Sequence, residues 1–186
     1  MAPPLRGIVL VGMRGAGKTT VGQLFAKRLG WTFQDLDDHA LQRSGLPSIR
    51  EVFARRGESA WRALEADAID SLLAPLVAQR GASAVVAVGG GAPSNPCVSA
   101  ALQRARTDGW RVVWIRTSLP KLVERLRTHE GDRPRLSAEP LEHELAGLDS
   151  ARRAAYEALA DLTVDGDASP DAVASALAAS LADALA

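Results

Sequence analysis

Aromatic side chains are scarce in this chain of 186 residues: Phe, Trp and Tyr together make up 4% of it. A core must therefore be assembled mainly from Ala, Val and Leu. The apolar fraction of 47% supplies enough of them for a packed domain, far from the composition of a disordered chain. Cysteine is nearly absent. Cys97 stands alone, which excludes an internal disulfide and suits a reducing compartment; it is expected to be a small, buried or half-buried apolar residue. Net charge is missing too, since Lys plus Arg number 22 and Asp plus Glu number 22. That balance argues against a broad nucleic-acid footprint or a membrane-surface patch. No apolar run approaches the roughly 18 residues that span a bilayer. The opening MAPPLRGIVLVG lacks the long apolar stretch and small-residue cleavage site of a signal peptide. The expectation is a soluble, cytoplasmic, monomeric protein with neither nucleic acid nor membrane as partner.

What is present is an alternation of short apolar runs and helical patterns, which predicts an α/β fold with a parallel sheet. Strands are expected at 8–11, 32–34, 84–88, 112–115 and 162–164. Helical patterns cover 18–29, 38–43 and 59–79, stopped by Gly30, Gly45 and Gly81, and then 96–106, 119–127 and 141–160. A last helix starts at Pro170 behind the N-cap candidate Ser169. It is alanine-rich, yet Val173, Leu177, Leu181 and Leu185 give it an apolar stripe. The polar stretch THEGDRPRLSAEP, residues 128–140, has no period and reads as a functional lid or a disordered segment. The whole chain, 1–186, reads as one domain.

The first chemical motif is a strand, then Gly12-x-x-x-x-Gly17-Lys18-Thr19, then a helix: a P-loop in its proper context. Its nucleotide-facing residues are Gly12, Gly15, Ala16, Gly17, Lys18, Thr19 and Thr20. Glycines let backbone N–H groups converge on phosphate oxygens at a helix N-terminus. Lys18 should reach the β- and γ-phosphates of ATP, and the Thr19 hydroxyl should ligate Mg²⁺. The apolar run VVAV ends in glycine rather than in the acid that usually helps hold the metal. FQDLDD supplies Asp35 and Asp37 at a strand end instead, although Asp37 or Asp38 could simply cap the next helix.

Arg62 and Glu65 are three residues apart on one helix and can pair, against the ordinary expectation of a solvated arginine. Arg133 and Arg135 fall in the lid segment, Arg152 and Arg153 in the helix after it. Arginine in a lid over a P-loop suits phosphoryl transfer, where charge develops on the γ-phosphoryl oxygens. These residues describe a small-molecule kinase. His39, His129 and His143 lack zinc-ligand spacing.

Taken together, the P-loop, DLD, WRALE, VGGGA, DRP and RRAAY resemble the shikimate kinases, in order and over about residues 5–182. The resemblance implies a P-loop kinase fold with a five-stranded parallel sheet and a lid, and transfer of the ATP γ-phosphoryl group to the shikimate 3-hydroxyl. It implies that Asp35 holds Mg²⁺ through water and that Asp37 binds the acceptor hydroxyl as its base. Arg62 and Arg152 would grip the shikimate carboxylate, oriented by Glu65. Gly89, Gly90 and Gly91 would lie against the acceptor ring, where a Cβ would take its volume. Arg133 would close onto the transferring phosphate, while Arg125 and Pro170 would flank adenine. The chain departs from the family's Arg-x-Pro-x-Tyr with Arg152-Arg153-Ala154-Ala155-Tyr156. Without the proline the helix runs on, and spacing to Tyr156 favours Arg152 over Arg153 as the substrate-facing residue. Trp61 either walls the acceptor pocket or packs, and Arg14 in the P-loop has no assigned role. The competing expectations are a kinase for another hydroxy acid or sugar acid, and a ligand-binding module of this fold without turnover.

Overall fold

The computed structural model describes residues 5–79, 83–128 and 139–185. Five strands, β1 (Gly7–Val11), β2 (Thr32–Asp35), β3 (Ala84–Ala87), β4 (Trp110–Arg116) and β5 (Leu162–Asp165), form one sheet in the order β2-β3-β1-β4-β5. All four pairings are parallel, with Gly7 opposite Ala84 on one side and Trp110 on the other. β1 and β3 are buried along their whole length. That explains why both read as unbroken apolar runs rather than alternating ones.

The helices are α1 (Lys18–Leu29), α2 (Leu36–Ser44), α3 (Ile49–Ala78), α4 (Pro96–Thr107), α5 (Leu119–Thr128), α6 (Leu141–Leu159), α7 (Pro170–Ser180) and α8 (Ala182–Leu185). α1 and α2 both end on a glycine in the left-handed conformation, Gly30 at φ 68° and Gly45 at φ 66°. α3 starts ten residues before the pattern at 59 suggests. Ser48 caps it by accepting the N–H of Glu51, and Gly57, at φ 80° and ψ 173°, interrupts it. The S-x-x-E spacing of Ser48 and Glu51 is the local signal for that earlier start. The final helix breaks at Leu181, yet Val173, Leu177 and Leu181 are buried and Leu185 packs against the core. The expected stripe therefore survives the break.

Cys97 is exposed, contrary to its expected burial. It lies in the first turn of α4, whose buried face begins one residue later with Val98 and continues through Ala101, Leu102 and Ala105. With so few aromatics, those present are placed centrally: Trp61, Trp110, Tyr156 and Phe25 are among the largest fully buried side chains. Trp110 lies flat over Gly7, where a Cβ would come within 2.7 Å of three ring atoms.

The order of the strands determines where ligands can go. β1 has β3 on one side and β4 on the other, so the crevice beyond its carboxyl end opens at the topological switch point. The P-loop follows β1, Asp35 ends β2 and the three glycines follow β3, so the three motifs emerge together at that edge. Gly7→Ala should lower stability by about 1–3 kcal/mol through overpacking against the Trp110 ring. Urea unfolding would show it as a lower midpoint at unchanged slope; an unchanged midpoint would mean that the ring is not confined.

Candidate active site

The P-loop takes its shape from glycines at positive φ: Gly12 at 145°, Gly15 at 83° and Gly17 at 92°. A Cβ on Gly12 would also stand 2.5 Å from the Ile115 carbonyl oxygen. Lys18 Nζ donates to the carbonyls of Gly12 and Met13, each at 2.9 Å, so the lysine is folded over the loop that should hold phosphate. Arg125 joins this loop to the segment before α7. It donates to Gly15 and Ala16 carbonyls at 3.3 Å each, and to Gly166 and Ala168 at 2.9 and 3.2 Å. Pro170, at the first position of α7, is exposed.

Thr19 Oγ1 donates to Asp35 Oδ2 at 2.9 Å, while Asp35 Oδ1 accepts the Asp37 backbone N–H at 3.0 Å. The cap of α2 is therefore Asp35, not Asp37 or Asp38, and the Asp37 side chain is not consumed in capping. Burial, then the neighbouring charge of Asp37, raise the Asp35 carboxyl above its ordinary range. Hydrogen bonds from Asp37 N–H and Thr19 and the Lys18 charge oppose that rise without cancelling it. Two oxygen donors at hydrogen-bond distance suit Mg²⁺, which takes one or two protein ligands and keeps several waters. Among the described residues no group of three or more His, Cys, Asp or Glu side chains forms a metal cluster. His39 instead pairs with Gln34 at 2.9 Å.

Lys18, Thr19, Asp35 and Asp37 line one cleft of about 470 Å³ together with Gly89 and Gly90. Arg14, Leu41 and Ile49 line it as well. The glycine run has a more specific explanation than an open surface for a ring. A Cβ on Gly90 would lie 3.1 Å from Arg14 N and 3.3 Å from Gly12 O, so its bareness admits the P-loop backbone. A Cβ on Gly91 would lie 2.3 Å from Arg62 Nη2, so its bareness admits the guanidinium. Two of the three missing side chains thus make room for the protein itself, and Gly89 and Gly90 remain at the cleft wall.

Arg62 is not a solvated surface residue, its side chain being only 21% exposed. Nη1 donates to Glu65 Oε2 and Nη2 to Glu58 Oε1, both at 2.7 Å, and Glu65 is fully buried. Burial works against the charge, but Glu65 and Glu58 outweigh it and the Arg62 pKa is raised. Glu58 was legible as an i, i+4 partner. Asn95 caps α4 and also donates to the Arg62 carbonyl at 2.9 Å, linking the glycine run to α3.

α6 continues unbroken through Arg152 and Arg153, as expected without a proline. Arg152 is buried, whereas Arg153 pairs with Asp149 and is half-buried. The inward-facing arginine is Arg152. Neither Arg62 nor Arg152 lines the cleft directly; Arg62 sits behind Gly91. Tyr156, one turn beyond Arg152, donates to the Gly90 carbonyl at 2.6 Å. Trp61 is fully buried and stacks near Phe53 at 6.3 Å, so it packs rather than walls the cleft. Arg133, Arg135 and His129, and most of the expected lid, lie outside the described residues.

Comparison with known proteins identifies the family and the fold. A profile of the shikimate kinase family matches residues 14–182. A shikimate kinase of Geobacter sulfurreducens is 42% identical over 161 residues, covering 86% of this chain and 81% of the relative. Among solved structures, the shikimate kinase of Acinetobacter baumannii in complex with shikimate superposes with a TM-score of 0.82 at 29% identity, covering 98% and 96% of the two chains. That of Aquifex aeolicus gives 0.74 at 31% identity, covering 95% and 96%.

Two measurements probe this site. Gly91→Ala should leave the fold intact, because the clashing atom ends a flexible side chain, while it pushes Arg62 out of place. A thermal midpoint within a few degrees of the parent and a clear loss of acceptor affinity are expected; retained affinity would separate Arg62 from the glycine run. In the ligand-free protein, carboxyl NMR of Asp35 should show a midpoint above that of an ordinary aspartate, moving down in Asp37→Asn as one raising charge is removed. Between the unfolded and the raised folded pKa the native state holds the proton more tightly, so this group's contribution to stability falls as pH rises through that window.

Proposed function

The chain belongs to the shikimate kinase family, and from that membership and the cleft geometry we infer that it transfers the γ-phosphoryl group of ATP to the 3-hydroxyl of shikimate. The observation that carries this reading is the meeting of Lys18, Asp35 and Asp37 with the glycine run in one cleft, and the packing of Arg62 against Gly91. A P-loop alone accounts for nucleotide binding. A half-buried arginine held by two carboxylates beside that glycine run accounts for an acidic acceptor.

In this reading Lys18 exchanges the carbonyls of Gly12 and Met13 for the β- and γ-phosphates, so little reorganisation is needed when ATP arrives. Thr19 and Asp35 would hold Mg²⁺, which supplies charge neutralisation on the phosphates. Asp37 orients the acceptor hydroxyl and accepts its proton. Arg62 and Arg152 bind the acceptor carboxylate, and a planar guanidinium matches a carboxylate in bidentate fashion. Glu65 and Glu58 hold Arg62 still while leaving further N–H groups for the ligand. Arg125 and Pro170 flank the adenine. Arg133 completes the site from the lid segment, closing water out so that ATP is not hydrolysed. Positioning and electrostatics account for most of the rate, as phosphoryl transfer generally requires.

The same proposal includes one domain over the whole chain and a monomeric cytoplasmic enzyme without nucleic-acid or membrane partners. Balanced charge and the single cysteine support it, and among the described residues no helix is long and apolar enough to cross a membrane. A neutral sugar as acceptor would give the half-buried Arg62 and the buried Arg152 no anionic ligand to bind.

The deciding assay is ADP release from ATP and Mg²⁺ with shikimate, with quinate as the control acid. Shikimate should stimulate release strongly and quinate should not. Arg62→Ala should raise KM for shikimate about tenfold or more and KM for ATP less than about twofold, as expected for loss of a charged contact to one ligand. Equal changes in both constants would remove Arg62 from the acceptor site.

A further inference from the structure

The P-loop pattern leaves its second and third residues, Met13 and Arg14, unspecified, and phosphate binding does not require them. In this protein both reach α6. Arg14 Nη2 lies 3.5 Å from Glu144 Oε1, with the Glu144 side chain 3% exposed and that of Arg14 20% exposed. Met13 Sδ lies 3.6 Å from the Tyr156 hydroxyl, the same hydroxyl that donates to Gly90. Two links thus join the loop after β1 to α6, the helix that also carries Arg152.

The charge pattern gives Glu144 a specific task. Arg14 lines a cleft that also contains Asp35, Asp37 and Asp38. An arginine there has carboxylates in the same cavity as alternative partners, and pairing with them would neutralise the groups that the reaction needs free. Glu144 offers a better-sheltered partner, because it is buried in the first turn of α6, where the helix dipole favours negative charge. A buried carboxylate in turn persists only with a cation beside it.

We propose that Glu144 is a positioning residue for the acceptor half of the site: through its ion pair with Arg14 it ties the first turn of α6 to the P-loop. Arg152, about two turns further along, then keeps its register with the glycine run. This inference rests on the acceptor site proposed above.

The test is a kinetic double-mutant cycle in the full-length enzyme, with shikimate and ATP varied separately. Glu144→Gln keeps the volume and removes the charge. It should raise KM for shikimate about fivefold or more and KM for ATP less than about twofold. Glu144→Asp, which restores the charge, should recover part of that loss. In an Arg14→Met background, adding Glu144→Gln should change the shikimate KM by less than about twofold, because the partner it acts through is gone. Equal rises in both KM values, no rise, or independent additive losses would each overturn the proposal. Should Glu144→Gln fail to fold, Arg14→Met gives the decisive reading: a rise in the shikimate KM alone supports the proposal, and wild-type constants or equal rises in both constants overturn it. Shikimate-dependent turnover of the unmodified enzyme, together with Arg62→Ala, reports separately on the acceptor site itself.

Discussion

The P-loop backbone packs directly against Gly90, and the rest of the cleft is arranged around that contact. A single Cβ on Gly90 would meet Arg14 N and Gly12 O at 3.1 and 3.3 Å. Contact this tight favours a residue with no side chain, since a Cβ would push backbone atoms back by a few tenths of an ångström, and it holds the loop after β3 against the loop after β1. Tyr156 then fixes the Gly90 carbonyl from α6 at 2.6 Å, and Arg62 fills the space over Gly91. The loops after β1 and β3 are thereby registered through backbone, which cannot hop between rotamers as side chains do. In-line transfer depends on that kind of registration, since small misplacements of reacting atoms are costly.

The electrostatics follow the same economy. A chain with no net charge concentrates opposite charges in one place: Lys18 and Arg14 share the cleft with Asp35, Asp37 and Asp38, and Arg62 is held between Glu65 and Glu58. Burial raises the Asp35 carboxyl, because a charged form out of water beside Asp37 is disfavoured until a cation arrives. The opposite holds at Arg62, where two carboxylates outweigh burial and keep the guanidinium charged. One group is poised to accept positive charge and the other to offer it. Both states are set by neighbours a few ångströms away, not by overall composition.

Legibility in the sequence varied with the range of the interaction. The five strands were found within a few residues of their ends, and α1 at both ends, because apolar runs and αL glycines are local signals. The start of α3 differs from the expected one because Gly57 interrupts the helix, although Ile49, Val52 and Phe53 at i, i+3 and i+4 and the Ser48 cap mark its first turns. Cys97 was misplaced because residue type predicts average burial, while its exposure depends on where the inner face of α4 begins. The Arg62–Glu65 pair was readable from helical spacing. The Arg14–Glu144 pair was not, since no local pattern relates residues that far apart in sequence.

By itself, then, the sequence determined the alternation of strands and helices, the phosphate loop, the acids after β2, the glycine run and the family to which they belong. Each of these is written in short-range spacing: backbone freedom at a glycine, a period of two or 3.6, a cap three residues from its partner. The tertiary structure decided what those pieces do to one another. It made Asp35 both the cap of α2 and the acceptor of the Thr19 hydroxyl, buried Arg152 while leaving Arg153 half-buried, and filled two of the three glycine positions with protein atoms. These outcomes depend on which surfaces meet when β3 and α6 close on β1, a question of packing volume and of charge removed from water that residues adjacent in sequence do not encode.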